Sequence, residues 1–178
     1  SSAVSGGPRC SSRGSSPIES RDGGPPTADP SIHADWSAIR QTFRDLIGEG
    51  FRTWIDPTQG HYREQLAFGV GRFDEGVGLF RFFEQRLGRG GPAAREGPVR
   101  LLDVGTGNGG IALAFANSRR YAVYTLDHLP NRSLAILAAR HGLPVRHAIG
   151  TGSDLPYPDA AFDVVLLVDV IEHVRHAR

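Results

Sequence analysis

The stretch Val99-Arg-Leu-Leu-Asp-Val-Gly-Thr-Gly-Asn-Gly-Gly110 decides the fold, and the apolar run 111–116 comes directly after it. Its Val- and Leu-rich first half is typical of a buried parallel strand. Gly105, Gly107 and Gly109 lack a Cβ, so the backbone can turn sharply there and let a ligand lie against it. The free amides and positive dipole end of the next helix attract anionic groups. The stretch therefore predicts a strand, a glycine turn and a helix that form a nucleotide-type pocket.

The spacing of Gly105, Gly107 and Gly110 also satisfies G-x-G-x-x-G, which by itself fits an enzyme that binds a dinucleotide. Asp103 favours a different ligand. It stands two residues before the first glycine, where its carboxylate is expected to face the ligand and to repel a pyrophosphate. A ligand that carries an amine and a sulfonium would be attracted instead.

The segment Leu101-Leu-Asp-Val-Gly-Thr-Gly-Asn-Gly109 resembles motif I of the class I S-adenosylmethionine-dependent methyltransferases. The resemblance implies a Rossmann-like, doubly wound α/β sheet and S-adenosyl-L-methionine as the cofactor. It also implies that the acid in this motif orders the methionyl end of the cofactor. The cofactor-binding residues expected in this segment are Asp103, Gly105, Thr106, Gly107, Asn108 and Gly109.

A second acid comes after the next predicted strand, Ala122–Leu126. Asp127 stands about twenty residues after the glycine turn, the spacing at which an acid reaches the ribose of a bound nucleotide. A carboxylate binds vicinal hydroxyls through charge-assisted hydrogen bonds. The alternative is that Asp127 caps the next helix, which begins at Pro130 and Asn131. His128 stands where the family usually places an apolar residue against adenine, and an imidazole can stack there or simply lie at the surface.

The segment Gly150-Thr-Gly-Ser-Asp-Leu-Pro-Tyr-Pro-Asp-Ala-Ala-Phe-Asp-Val-Val165 is similar to a loop and fourth strand of ubiquinone-biosynthesis and related small-molecule methyltransferases. In those enzymes an acid four residues before the Leu-Pro pair bonds the adenine amino group. Here Thr151 holds that position. The hydroxyl of Thr151 or the amide of Gly152 is therefore expected to bond the base, at some loss of affinity.

The stretch 162–168, apolar except for Asp163, predicts a fourth strand buried on both faces, and Asp169-Val-Ile-Glu-His-Val174 comes next. Asp169 is expected to contact the cofactor. Asp169, Glu172 and His173 have a spacing that would place an acid and a histidine on one helix face, as in a metal site. Because so few ligands are close together, we expect no metal.

Two helical segments precede the sheet, and the resemblance implies that they close the active site from above. The first is predicted from Trp36, Ile39, Phe43, Leu46 and Ile47, with Ser31 or Asp35 as its cap and Gly48 and Gly50 as its end. The region of Tyr62, Leu66 and Phe68 predicts a short helix or ordered loop, and Phe73, Val77, Phe80, Phe83 and Leu87 predict a second long helix.

Two histidines are candidates for a general base, because imidazole titrates near neutral pH. They are His61, which with Tyr62 is also a candidate to line the pocket, and His173. No residue of the sequence is compelling in this role, and the catalytic group stays unassigned at this stage.

Composition sets the remaining limits. A net charge of +1 gives no sign of a nucleic-acid partner, and no apolar run reaches the length of a membrane span. The single cysteine, Cys10, fits a reducing compartment, so we expect a cytoplasmic protein. Residues 1–30, rich in Ser, Gly, Pro and Arg, are expected to be a disordered tail. Residues 31–96 are expected to form a helical cap, and residues 97–178 part of a cofactor-binding domain with strand order 3-2-1-4, without strands 5-7-6.

The sequence thus favours transfer of a methyl group to a small-molecule acceptor, which it does not identify. Two alternatives stay open. One is a nicotinamide-dependent oxidoreductase, which would need a pyrophosphate to tolerate Asp103. The other is an inactive, truncated remnant that binds the cofactor, since the activity of residues 1–178 alone is doubtful.

Overall fold

A computed structural model describes residues 31–53, 55–87 and 97–173. The predicted tail, with Cys10, and most of the boundary between the expected cap and the sheet domain lie outside the described residues. The elements, in chain order, are α1 (Trp36–Phe51), α2 (Gly60–Leu87), β1 (Val99–Val104), α3 (Gly110–Ala116), β2 (Tyr121–Asp127), α4 (Arg132–His141), β3 (Val145–Ile149) and β4 (Val164–Leu166). A 3-10 turn, Ile171–His173, comes after β4.

The four described strands form one parallel sheet in the order β3-β2-β1-β4. In register, Leu102 of β1 pairs with Tyr124 of β2 on one side and with Val165 of β4 on the other. The predicted strand order is therefore confirmed. Because the chain moves away from β1 in both directions, a switch point lies between β1 and β4, where open α/β sheets bind their ligands.

The four described helices bury apolar side chains on the same face of the sheet. The shared core includes Phe43 of α1, Phe73 of α2, Phe115 of α3 and Leu137 of α4, packed on Leu101 of β1. The opposite face carries Leu102, Val104 and Leu126, and the loop residues Tyr157, Phe162 and Val170 pack against it. Within the described ranges, the helical layer thus covers one face and loops cover the other.

The fourth strand is shorter and less buried than predicted. The expectation of a strand over 162–168 buried on both faces is wrong, since β4 spans Val164–Leu166 and Val165 is 45% exposed. Neighbouring residues of paired strands point to the same side, so Val165 lies on the face of Leu102. That face has no helix among the described residues, which explains the exposure.

The first helix does not end at its glycines. Asp35 caps α1 by accepting hydrogen bonds from the amides of Ser37 (2.9 Å) and Ala38 (3.1 Å), and the helix then continues through Gly48 and Gly50 to Phe51. Gly48 is a contact site, because the hydroxyl of Tyr62 donates to its carbonyl at 3.1 Å and lies 3.0 Å from where a Cβ would stand. The two segments predicted after α1 are one continuous helix, α2.

Glycines bring α2 and α3 together at the distance of backbone contact. A Cβ on Gly76 of α2 would lie 2.7 Å from the Cα of Ile111, and one on Gly110 would lie 2.7 Å from the amide nitrogen of Phe73. Neither neighbouring atom can move without shifting a helix. This crossing sets the middle of α2 beside the glycine turn that precedes α3, where Asn108 Nδ2 donates to the carbonyl of Gly69 at 3.3 Å.

We predict that Gly76→Ala lowers the free energy of unfolding by about 2 kcal/mol or more, because the added methyl group overlaps the backbone of α3. Gly78→Ala is the matched control, since no atom lies within 4 Å of its added Cβ. Helix propensity predicts that this control gains up to about 1 kcal/mol. Urea unfolding of both variants measures the difference, and equal effects would contradict the close crossing.

Candidate active site

A cavity of about 440 Å³ opens at the carboxyl ends of the strands, beside the switch point. This volume is in the range of small-molecule sites. Five parts of the chain supply its lining: the ends of β1 and β2, the loops after β3 and β4, and the 3-10 turn. The lining residues are Val104, Gly105, Leu126, Asp127, His128, Gly150, Thr151, Gly152, Ser153, Asp169, Val170 and His173.

The glycine turn between β1 and α3 is tied to the end of β2. The carbonyl of Leu126 accepts hydrogen bonds from the amides of Gly105 (2.8 Å) and Thr106 (3.2 Å). Gly105, Gly107 and Gly109 have φ values of +70°, +52° and +84°, which confirms the predicted need for residues without a Cβ. A Cβ on Gly105 would also lie 2.5 Å from a methyl group of Val170. The predicted helix after the turn spans Gly110–Ala116.

Asp127 holds the glycine turn from the side of β2. Its Oδ2 accepts the amide of Gly107 at 2.8 Å, and its Oδ1 accepts the amide of His128 at 2.7 Å. It does not cap α4, because Asn131 does so by accepting the amide of Leu134 at 2.9 Å. Asn131 also donates to the carbonyl of Gly107 at 2.7 Å. Asp127 therefore lines the cavity and also fixes the turn, and its contact with a ribose stays a prediction.

Asp103 lies behind the turn and does not line the cavity. Asp103 pairs in register with the fully buried Thr125 and points to the helical face of the sheet, where it is 3% exposed. The hydroxyl of Thr106 donates to Asp103 Oδ2 at 2.7 Å. The expectation that this carboxylate faces the ligand directly is thus not met. The acids that do line the cavity are Asp127 and Asp169.

Burial raises the pKa of the Asp103 carboxyl to about 6. The hydrogen bond from Thr106 and the charge of Arg72 oppose this rise, whereas the charge of Asp127 adds to it. An acid with a raised pKa binds more protons in the folded protein than in the unfolded chain between the two pKa values. Its ionisation therefore removes stability as the pH rises from about 4 to about 6.

We predict that Asp103→Asn gains stability relative to the wild type as the pH rises, by about 2 kcal/mol between about pH 4.5 and pH 7.5. The amide keeps an oxygen for the Thr106 hydroxyl and cannot ionise. Asp74→Asn is the opposite control, because the hydrogen bond from Arg40 lowers the pKa of Asp74. Unfolding at both pH values measures the effect, and a difference between Asp103→Asn and the wild type that does not vary with pH would count against a buried carboxyl.

The structure brings together most of the predicted cofactor-binding residues, but not all of them. Predicted residues that line the cavity are Gly105, Asp127, His128, Thr151, Gly152 and Asp169. Thr106 is buried with Asp103, Asn108 points to α2, and a Cβ on Gly109 would contact Leu134. Gly107 lines an adjoining cavity that shares Asp127 and His128 with the first.

The structure separates the two histidine candidates. His173 lines the cavity. His61 lies in the first turn of α2, eleven residues and about 16 Å of helix before Arg72, and it is not among the lining residues. Tyr62, its neighbour, is buried against α1. The structure therefore leaves His173 as the histidine candidate at the cavity.

Five lining residues and one rim contact were not predicted from the sequence. The five residues are Val104, Leu126, Gly150, Ser153 and Val170. The rim contact is the ion pair by which Arg72 of α2 reaches Asp169. Val170 has no signal in the sequence, and its role is visible only in the structure, where its methyl groups occupy the space that Gly105 leaves open. The pairing of Arg72 with Asp169 has none, because the two residues are 97 positions apart.

The described residues show neither a metal cluster nor a membrane span. Over residues 31–53, 55–87 and 97–173, no three His, Cys, Asp or Glu side chains group as metal ligands would. None of the helices in the same ranges is long and apolar enough to span a membrane.

Fold and site together define a Rossmann-like α/β protein with its ligand cavity at the switch point of a parallel sheet. Comparison of the sequence with known protein families then indicates a particular family. Residues 102–178 match the family described as "Methyltransferase domain". This match and the relatives described next support placing residues 102–178 among the class I S-adenosylmethionine-dependent methyltransferases.

Individual relatives agree with this assignment. The chain is 34% identical over 126 residues to a ubiquinone biosynthesis O-methyltransferase of Paramagnetospirillum magneticum, a match that covers 68% of this chain and 47% of that protein. It is 38% identical over 82 residues to ajmaline N-methyltransferase of Rauvolfia serpentina, over 44% of this chain and 28% of the relative. The chain thus spans about half the length, or less, of these curated relatives.

A solved structure shows a more distant likeness. Geranyl diphosphate C-methyltransferase from Streptomyces coelicolor is 16% identical, with 78% of this chain and 53% of that one covered. Its TM-score of 0.42 is too low to bear on the assignment. The assignment follows from the sequence matches.

Proposed function

We propose that this protein is a methyltransferase that transfers a methyl group from S-adenosyl-L-methionine to a small-molecule acceptor. The observation that carries the proposal is the cavity in which the glycine turn, Asp127 and the loop after β3 meet at the switch point. Relatives named as N- and O-methyltransferases support the reaction class. They differ in the atom methylated, so the acceptor is proposed only as a small molecule.

The charge of the cavity favours this cofactor over a dinucleotide. Among the described residues, its lining contains two carboxylates, Asp127 and Asp169, and no arginine. Opposite charges attract most strongly where water is partly excluded. A cationic sulfonium and ammonium therefore suit the lining, whereas the pyrophosphate of a nicotinamide cofactor would meet the negative charge of Asp127 and that of Asp169, which the ion pair with Arg72 offsets in part. The repulsion of a pyrophosphate that was expected from Asp103 is thus assigned to Asp127 and Asp169 instead.

The lining also fits the adenosine part of the cofactor. The Asp127 carboxylate lies at the end of β2, where it can accept hydrogen bonds from ribose hydroxyls. The imidazole of His128 is 76% exposed and lines the cavity, where it can stack on a base. Thr151 and Gly152 stand in the loop after β3 and offer a hydroxyl and an amide to the edge of the base.

The cofactor supplies the reactive methyl group when bound, and the described residues position it. Binding in a cavity walled by Val170 and Leu126 excludes water from the reacting atoms. Holding donor and acceptor in line supplies much of the rate enhancement in such transfers. His173 is proposed to take the proton of an acceptor hydroxyl or amine. We further propose that α1 and α2 form part of a helical cap beside this site and that the protein acts in the cytoplasm.

Isothermal calorimetry with S-adenosylhomocysteine tests the proposal. We expect Gly107→Val to weaken binding at least tenfold, because valine is strained at a φ of +52° and moves the turn. We expect Asp127→Asn to weaken it by about tenfold, because the neutral amide loses a charge-assisted bond to the ribose. Asp159→Asn, at an exposed loop position outside the cavity, is the matched control and should bind as the wild type does.

The same experiment separates the alternative enzyme class. NADH added in place of S-adenosylhomocysteine should give no saturable heat. Binding of NADH without binding of S-adenosylhomocysteine would overturn the proposed function.

A further inference from the structure

One arginine joins α2 to the rim of the cavity. Arg72 Nη1 lies 2.9 Å from Asp169 Oδ2 and 2.6 Å from Glu75 Oε2. The Arg72 side chain is 18% exposed, so it is much better shielded from water than a typical surface partner. Glu75 lies one turn along the same helix and fixes the guanidinium that meets Asp169.

The partner of this arginine has an unusual backbone conformation. Asp169 has a φ of +53°, in the left-handed region that L-residues other than glycine adopt at a cost. It is also 67% exposed at its side chain, so packing contributes little to holding it there. The ion pair with Arg72 is a contact from a second element that can favour this conformation.

The residues after Asp169 shape the cavity. Val170 packs against the bare backbone of Gly105, and the amide of His173 donates to the carbonyl of Val170 at 2.9 Å. Within segment 169–173, the three residues Asp169, Val170 and His173 line the cavity. A change in the backbone of Asp169 would redirect the rest of the segment, including both other lining residues.

We propose that Arg72 is a positioning residue, whose ion pair with Asp169 holds segment 169–173 in the shape that the ligand of the cavity requires. Helix α2, which reaches the cavity lining through this pair, thereby acts on ligand affinity. The identity of the ligand rests on the proposed function, whereas the effect on segment 169–173 does not.

The first test needs no ligand and uses the whole chain. Amide hydrogen exchange of His173 reports whether the 3-10 turn is held. We expect Arg72→Ala and Asp169→Asn each to speed this exchange by about fivefold or more, and Arg72→Lys to speed it less. Arg40→Ala is the matched control, because it also removes an Arg–Asp pair, the two-bond pair with Asp74, which ties α1 to α2 away from the cavity.

The second test measures the dissociation constant of S-adenosylhomocysteine in a double-mutant cycle. We expect Arg72→Ala and Asp169→Asn each to raise it by about fivefold or more, and the double variant to raise it no further than the more severe single variant. Arg40→Ala should leave it within about twofold, although it also removes an interhelical pair. Asp169 is exposed, so Asp169→Asn folds even if Arg72→Ala does not.

Each outcome supports or overturns the role of Arg72. Unchanged exchange at His173 in both pair variants would overturn the proposal, whatever the ligand. Losses of affinity that multiply in the double variant would also overturn it, since Arg72 would then act independently of Asp169. If the wild type binds no S-adenosylhomocysteine, the proposed function fails, and faster exchange in the two pair variants alone would still support the role of Arg72.

Discussion

The site depends on one constraint, which is that the glycine turn after β1 is bonded to the end of β2. The carbonyl of Leu126 accepts two amides of the turn, and the carboxylate of Asp127 accepts a third, from Gly107. Asn131 completes the set by donating to the Gly107 carbonyl. Polar backbone groups that would otherwise be free are thus satisfied in one geometry. The shape of the cavity at the glycine turn is therefore set by the end of β2, and not by the turn alone.

A second constraint places the middle of α2 beside the glycine turn. Gly76 and Gly110 allow backbone contact between α2 and α3, and α3 begins directly after the glycine turn. This contact fixes which residues of α2 lie beside the glycine turn. Two polar contacts near the crossing, Asn108 with Gly69 and Arg72 with Asp169, result from that alignment. The helical layer therefore contacts the site through these two polar contacts, although it covers the opposite face of the sheet from the loops.

Local features of the sequence predicted the sheet well. The strand order was correct, and the strand predicted over Ala122–Leu126 lies within β2, because apolar runs and glycine turns are encoded in adjacent residues. The spacing of Asp127 placed it correctly at the cavity, but both roles considered for it omitted its bond to Gly107. That bond depends on how two loops meet in space, and spacing along the chain does not encode it.

Other errors have physical causes of the same kind. Gly48 and Gly50 were expected to end α1, which ends one residue later, at Phe51. Gly48 lies inside the helix, where its carbonyl accepts the Tyr62 hydroxyl. Asp103 was expected at the ligand, but the alternation of β1 turns it to the buried face.

The crystal structure of the chain with S-adenosylhomocysteine is the most direct measurement of how the cavity binds its ligand. We predict ribose hydroxyls within hydrogen-bond distance of the Asp127 carboxylate, about 2.6–3.2 Å. We also expect the adenine between His128 and the Thr151–Gly152 backbone. A ligand bound elsewhere, such as the arginine-lined groove between α1 and α2, or one that leaves Asp127 without a contact, would contradict the proposed site.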